Sequence, residues 1–169
     1  MAKTIDEAPI NPNDAEDFKL PSDGVHNANL SGVEFGQTKA GDREQFIVTI
    51  TLSEDDPDAP NLPMKLYVGW ATEEDKSIMW GSRTAYGSKI KSLKDLMTAF
   101  GGPEDLYVNK AKTVVEQKQM LTAFLLDKTG QPVKVKTKQE LRTEKDVHGN
   151  RVPVDPPELQ ANVKNLLPA

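Results

Sequence analysis

The chain has 169 residues and a formal net charge of −5; 37% of its residues are hydrophobic, 11 are glycine and 12 are proline, a balance that points to one modest core with sizeable irregular segments around it. With no cysteine, disulfides, thiol chemistry and thiolate metal sites are excluded. No apolar run reaches the roughly 18 residues of a membrane span, and the amino terminus lacks the basic-then-apolar order of a secretory signal, so a cytoplasmic location is expected.

Residues 1–22 are polar and punctuated by Pro9, Pro12 and Pro21, and residues 1–24 carry six carboxylates against Lys3 and Lys19. They read as a flexible acidic arm preceding a domain over residues 23–169. From Gly24, "GVHNANLSGVEFGQTKAG" predicts a strand with Gly32 in its middle, where a glycine marks a bulge or bend. A turn at "KAGD" leads into "REQFIVTITL", where Phe46, Val48, Ile50 and Leu52 share one face of a strand. The acidic "SEDDPDAPN" reads as a solvated loop. "LPMKLYVGW" then alternates, with Met64, Leu66, Val68 and Trp70 opposite Lys65, Tyr67 and Gly69. In "TEEDKSIMW", Thr72 is placed to cap a short helical turn.

Ile90, Leu93, Leu96, Met97 and Phe100 recur at helical spacing before Gly101-Gly102-Pro103, with Ser88 as the N-cap candidate. Over 104–126 the apolar run "MLTAFLL" fits either a helix or a buried strand. "QPVKVKTKQELRT" reads as a strand, "EKDVHGN" as a turn, "RVPVDPP" as a linker and "QANVKNLLP" as a closing strand. Five strands with one helix between the third and fourth give a mainly β class. That is the order of an OB-fold, a small Greek-key barrel that commonly binds oligonucleotides.

No constellation for catalysis stands out. The chain lacks a phosphate loop, a GxSxG elbow and a dinucleotide fingerprint, so no enzyme activity and no cofactor are expected. His26 and His148 have no ligand spacing around them and read as structural or surface residues, and no metal site is expected. Binding features are better represented. Lys134, Lys136 and Lys138 alternate with Val133, Val135 and Thr137, which puts the three ammonium groups on one strand face. Lys65 and Tyr67 share a face beside Gly69. Trp80, Arg83 and Tyr86 interleave aromatics with a base, and Lys39 and Arg43 sit in the turn joining the first two strands. Basic grooves with stacking rings are how proteins hold single strands without reading sequence, and these ten residues form the candidate DNA-binding set.

"DGVHNANLSGVEFGQTKAGDREQFIVTITL", "MKLYVGW", "IKSLKDLMTAFGG" and "GQPVKVKTKQE" together resemble the recombination-associated single-stranded DNA-binding proteins of tailed bacteriophages. The corresponding motifs here are Gly24–Leu30, Lys39–Gly41, Leu93–Gly101 and Gly130–Val135, within a resemblance spanning about residues 23–167. It implies sequence-independent binding of single-stranded DNA in phage replication or recombination, with phage or host replication and recombination proteins as further partners. The acidic segment lies at the amino terminus, where many of those proteins carry it at the other end. The net acidity and the 6% aromatic content favour the alternative, a phage structural or accessory module that binds protein and no nucleic acid.

Overall fold

The computed structural model describes residues 9–14 and 19–169; residues 1–8 and 15–18, most of the expected arm, lie outside the described residues. The organising element is β1 (Gly24–Gln37), 14 residues long. Its carboxyl-terminal part pairs antiparallel with β2 (Glu44–Leu52) from Ala28 to Gln37. Its amino-terminal part pairs antiparallel with β6 (Pro132–Leu141), from Gly24 to Asn29. β3 (Pro63–Gly69) extends the sheet beyond β2, and β9 (Leu159–Leu167) extends it beyond β6. The result is a five-stranded antiparallel sheet in the order β3-β2-β1-β6-β9.

The sheet does not close into the expected barrel. β3 and β9 are its two edges and are not hydrogen-bonded to each other; they flank a cleft of about 310 Å³ that Leu20 also lines. The irregularity of β1 falls where it was expected, with Gly32 one of the two residues set against Thr49. Register runs Leu30↔Ile50 and then Gly32↔Thr49, so Ser31 is the extra residue of a bulge. The Ser31 hydroxyl donates to the Thr49 carbonyl and accepts from the Thr51 hydroxyl, at 3.2 and 2.9 Å.

Two helices follow β3, where one was expected. A 3-10 turn over Glu73–Ser77 does follow Thr72. The hairpin β4 (Met79–Trp80) and β5 (Arg83–Thr84) then feeds α1 (Ala85–Ala99). Its N-cap is Thr84, whose hydroxyl accepts the Gly87 N–H at 3.0 Å; Ser88 falls inside the first turn. Leu93, Leu96 and Met97 are buried as the spacing predicts, and Gly101, at φ +71°, ends the helix. The ambiguous segment resolves as a loop and α2 (Val114–Asp127), capped by Thr113. Leu121 and Leu125, four apart, are buried, while Ala123 between them is exposed. A strand would have buried all three.

Helix α1 packs on β3 and β9, and α2 packs on β1. Both cover the sheet face that carries Leu30, Phe46, Val48, Ile50, Val133 and Val135. Beyond β6, a small hairpin pairs β7 (Thr143–Lys145) with β8 (Arg151–Pro153) around the expected turn. The loop between β2 and β3 departs from expectation at two residues: Asp56 is buried against His26, and Ala59 is buried in the core. Among the described residues no helix is long and apolar enough to cross a membrane.

Two glycines separate geometry from sequence habit. A Cβ on Gly102 would sit 2.8 Å from the Met97 carbonyl oxygen and 2.9 Å from Cε1 of Phe124. Gly102→Ala is therefore expected to lower stability by about 1–3 kcal/mol through overpacking. On Gly32 the same atom meets only the Thr49 side chain, at 3.6 Å or more. Gly32→Ala is expected to leave stability unchanged or raise it by up to about 1 kcal/mol. Urea denaturation reads both, and an equal loss in the two variants would mean that the β1 bend does require glycine.

Candidate nucleic-acid interface

The ten candidate residues fall into two groups on different parts of the molecule. The first group lies on the outer sheet face, opposite the helices. Lys134, Lys136 and Lys138 project from β6 and are exposed, with Val133, Val135 and Thr137 buried beneath them. Lys65 and Tyr67 project from β3, Tyr67 at 57% exposure. The registers Tyr67↔Ile47↔Glu34, Lys65↔Thr49↔Gly32, Asn27↔Lys134 and Val25↔Lys136 connect the two sets through β2 and β1. Along these rows the intervening residues are uncharged except Glu34. None of the four lysines forms an ion pair among the described residues. The neighbouring Lys164 does, with Glu140.

The second group surrounds a cleft of about 670 Å³ between the β1–β2 turn, the end of β3, α1 and α2. Here the cations are already engaged. Asp75, fully buried, accepts from Arg43 Nη1 at 2.6 Å on one oxygen. Its other oxygen accepts from the Thr72 N–H, the Thr72 hydroxyl and Lys89 Nζ, at 2.8, 3.0 and 3.0 Å. Burial by itself would push this carboxyl up, but the Thr72 N–H, Arg43, Lys89 and the Thr72 hydroxyl together hold it far below the usual carboxylate range. Asp75 in turn raises the affinity of the Arg43 guanidinium for its proton. Arg43, expected to meet phosphate, is paired with Asp75, and its Nη2 lies 3.7 Å from Glu74.

Stacking surfaces in this group are also partly taken. Lys89 Nζ lies 5.8 Å from the Trp80 ring centroid and Lys76 Nζ lies 4.9 Å from that of Tyr86. Tyr86 is half-buried and lines the cleft; Trp80 and Arg83 stand exposed on the β4–β5 hairpin, and Lys39 is exposed in its turn. Trp70 was expected in the core, and it packs there against Phe35 and Phe46 while also lining the cleft.

Sequence reasoning missed the groups that set the cleft's charge. Lys118 of α2 bonds Glu44 at 2.7 Å and lies 5.4 Å from the Trp70 centroid. With Arg43 and Lys89 it faces four lining carboxylates, Asp42, Glu44, Glu73 and Asp105, and Asp75 is buried behind them. An excess of negative charge makes the cleft a poor phosphate site. The Thr72-to-Asp75 spacing was a legible signal for one member, since an acid three residues after a capping threonine bonds back to it. Nothing local could have paired Asp75 with Arg43 or Lys89.

Among the described residues no three histidine, aspartate or glutamate side chains converge as metal ligands. No protein-family model and no curated protein matches the chain.

Asp75→Asn would leave Arg43 and Lys89 without their shared acceptor charge and is expected to cost about 3–5 kcal/mol at pH 7. Because folding depresses the Asp75 pKa, the ionised group contributes fully above the ordinary aspartate value, and that contribution fades as pH falls towards the folded value. The gap between wild type and variant, read by urea denaturation, is therefore expected to narrow from pH 7 to pH 2.5. A gap that is constant across this range would remove the charge network as its cause.

Proposed function

We propose that the protein binds single-stranded DNA without sequence preference, using the outer sheet face. The observation that carries this reading is the separation of cations. Arg43, Lys89 and Lys118 are each bonded to a carboxylate, whereas Lys65, Lys134, Lys136 and Lys138 stand exposed and unpaired among the described residues beside the open ring of Tyr67. Unpaired lysines can exchange counterions for phosphates, and an exposed tyrosine can stack any base. Lys39, Arg83 and Trp80 are available at the periphery, while Arg43 and Tyr86 are not part of this surface.

The fold class we infer is an incompletely closed OB-type barrel. Its support is the strand order, with a long first strand shared between second and fourth long strands, and a helical insertion between the third and fourth. The sequence resemblance to phage single-stranded DNA-binding proteins supports the same reading and, with it, a role in phage replication or recombination.

A second reading, a protein-interaction module, is favoured by the cleft. Leu106 in its wall and the adjacent Tyr107, packed on the core, have consecutive positive φ values of 54° and 61°. Such strain persists only where surrounding contacts enforce it, and it concentrates at binding sites. Asp105 accepts the Tyr107 N–H and Gln117 donates to the Leu106 carbonyl, both at 3.0 Å. Exposed Val108 and Val114 line the same opening.

Fluorescence anisotropy with labelled dT and mixed-sequence strands, against duplex DNA, from about 50 to 200 mM salt tests the first reading. Binding is expected to favour single strands and to weaken steeply with salt. Replacing Lys134, Lys136 and Lys138 together by Ala is expected to weaken all strands alike and to reduce the salt slope by about 2, at roughly 0.7 per single-strand phosphate contact. Tyr67→Ala is expected to cost about 1–3 kcal/mol. Unchanged affinity and slope in the triple variant would take the lysine row out of the interface. No binding by the wild type at low salt would leave the cleft reading.

A further inference from the structure

The imidazole of His26 is buried near the start of β1, and both ring nitrogens face acceptors. Nδ1 lies 2.6 Å from Oδ2 of Asp56, and Nε2 lies 2.7 Å from the carbonyl oxygen of Ser22. Asp56 is itself held as an acceptor, its other oxygen taking the N–H groups of Asp58 and Ala59 at 3.0 and 2.9 Å. A carbonyl and a carboxylate have no hydrogen to give, so each ring nitrogen must supply one. Only the doubly protonated imidazolium completes this arrangement.

The two acceptors belong to different pieces of chain. Asp56 sits in the loop between β2 and β3. Ser22 sits in the strap of residues 19–23 that leads into β1. The Ser22 carbonyl also accepts from the Thr137 hydroxyl at 2.8 Å. Gln139 of β6 bonds the Pro21 carbonyl through its side chain and the Asp23 carboxylate through its N–H, at 3.0 and 2.6 Å. Pro21 is buried, and Leu20 reaches the cleft between the two sheet edges, beside Met64 of β3 and Val163 of β9.

The charged groups acting on the ring are Asp56 and Asp58, both from the β2–β3 loop. From β6 the register places uncharged Val135 opposite His26, and Lys134 and Lys136 lie on the other face. From the strap, Asp23 is engaged by the Gln139 N–H. Burial by itself would lower the proton affinity of His26, but the Ser22 carbonyl, the Asp56 carboxylate and the charge of Asp58 outweigh it, and the group stays above its ordinary value.

We propose that His26 is a proton-operated latch: protonated, it ties strap 19–23 to β1 and to the β2–β3 loop and keeps Leu20 at the gap between the sheet edges; on losing its proton it releases the strap and uncovers that gap. The neutral ring has one hydrogen for two acceptors. It keeps the stronger acceptor, the Asp56 carboxylate, and its bare Nε2 then faces the Ser22 oxygen, lone pair to lone pair. Since folding raises the affinity of His26 for its proton, the latch holds fully below the ordinary histidine value and is lost as pH rises through the folded one. The device does not depend on whether the outer face binds DNA.

Long-range 1H–15N NMR of the full chain reads the protonation of His26, and amide exchange corrected for its intrinsic pH dependence reads the strap. At pH 5.5 both ring nitrogens are expected to be protonated, and titration to pH 8.5 is expected to show a midpoint above about 6.5. Exchange in residues 20–23 is expected to rise about tenfold or more with that midpoint, equivalent to losing one charge-assisted hydrogen bond, while β2 stays protected. His26→Gln at pH 5.5 is expected to show the fast strap exchange of the wild type at pH 8.5; the wild-type titration stands alone if this variant does not fold. A neutral ring in the folded protein at pH 6, or a titration that leaves residues 20–23 unchanged, would overturn the latch.

Discussion

Everything on the outer face depends on β1 being shared by two halves of one sheet. Of its 14 residues, nine pair with β2 and six with β6, Ala28 and Asn29 pairing on both sides. The bulge at Ser31 lets the strand serve both without shifting the apolar residues out of phase. Leu30, Phe46, Val48, Val133 and Val135 then point to the helices together. Side chains alternate with period two, so a one-residue slip in either pairing would send a whole row to the wrong side. The same phasing that buries Val133 and Val135 forces Lys134 and Lys136 outward, and the phasing that buries Met64 and Val68 does the same for Lys65 and Tyr67. The candidate surface is a consequence of core packing, and its charge is what remains free to act.

A net charge of −5 conceals a sorting of charges. In the cleft, lining carboxylates outnumber lining cations, and each lining cation, Arg43, Lys89 and Lys118, is bonded to a carboxylate. Asp75 illustrates why. A buried ionised carboxylate is tolerable only when its lone pairs are met, and Arg43, Lys89 and Thr72 supply four donors. Those cations are consumed by the fold. On the outer face the spacing between β3 and β6 is filled by asparagine, threonine, valine, isoleucine and glycine, with Glu34 the exception. Overall acidity therefore says little about which surface an anion would meet.

Much of this was legible in the sequence where a residue's role follows from its immediate neighbours. The alternation of 46–52, 64–68 and 132–138 gave strand faces correctly, and Leu93, Leu96 and Met97 gave the buried side of α1. Failures arose where the deciding partner is distant in sequence. Arg43 looks like a free turn cation until Asp75 is brought to it. The acidic loop looks solvated until His26 folds onto Asp56. "MLTAFLL" has no local feature that prefers helix, and the choice is made by Leu121 and Leu125 meeting the core together. Gly32 did mark the bulge from sequence alone, although the extra residue is its neighbour Ser31.

The central claim is that nucleic acid lies on the outer sheet face and not in the acid-lined cleft. A 1H–15N titration with a short dT oligonucleotide at low salt locates it directly, using the amides of residues 65–67 and 134–138 as one probe and the Trp70 indole as the other. Shifts concentrated on the strand residues, with Trp70 unmoved, are expected. Shifts centred on Trp70 and the cleft, or a spectrum unchanged by saturating oligonucleotide, would contradict it.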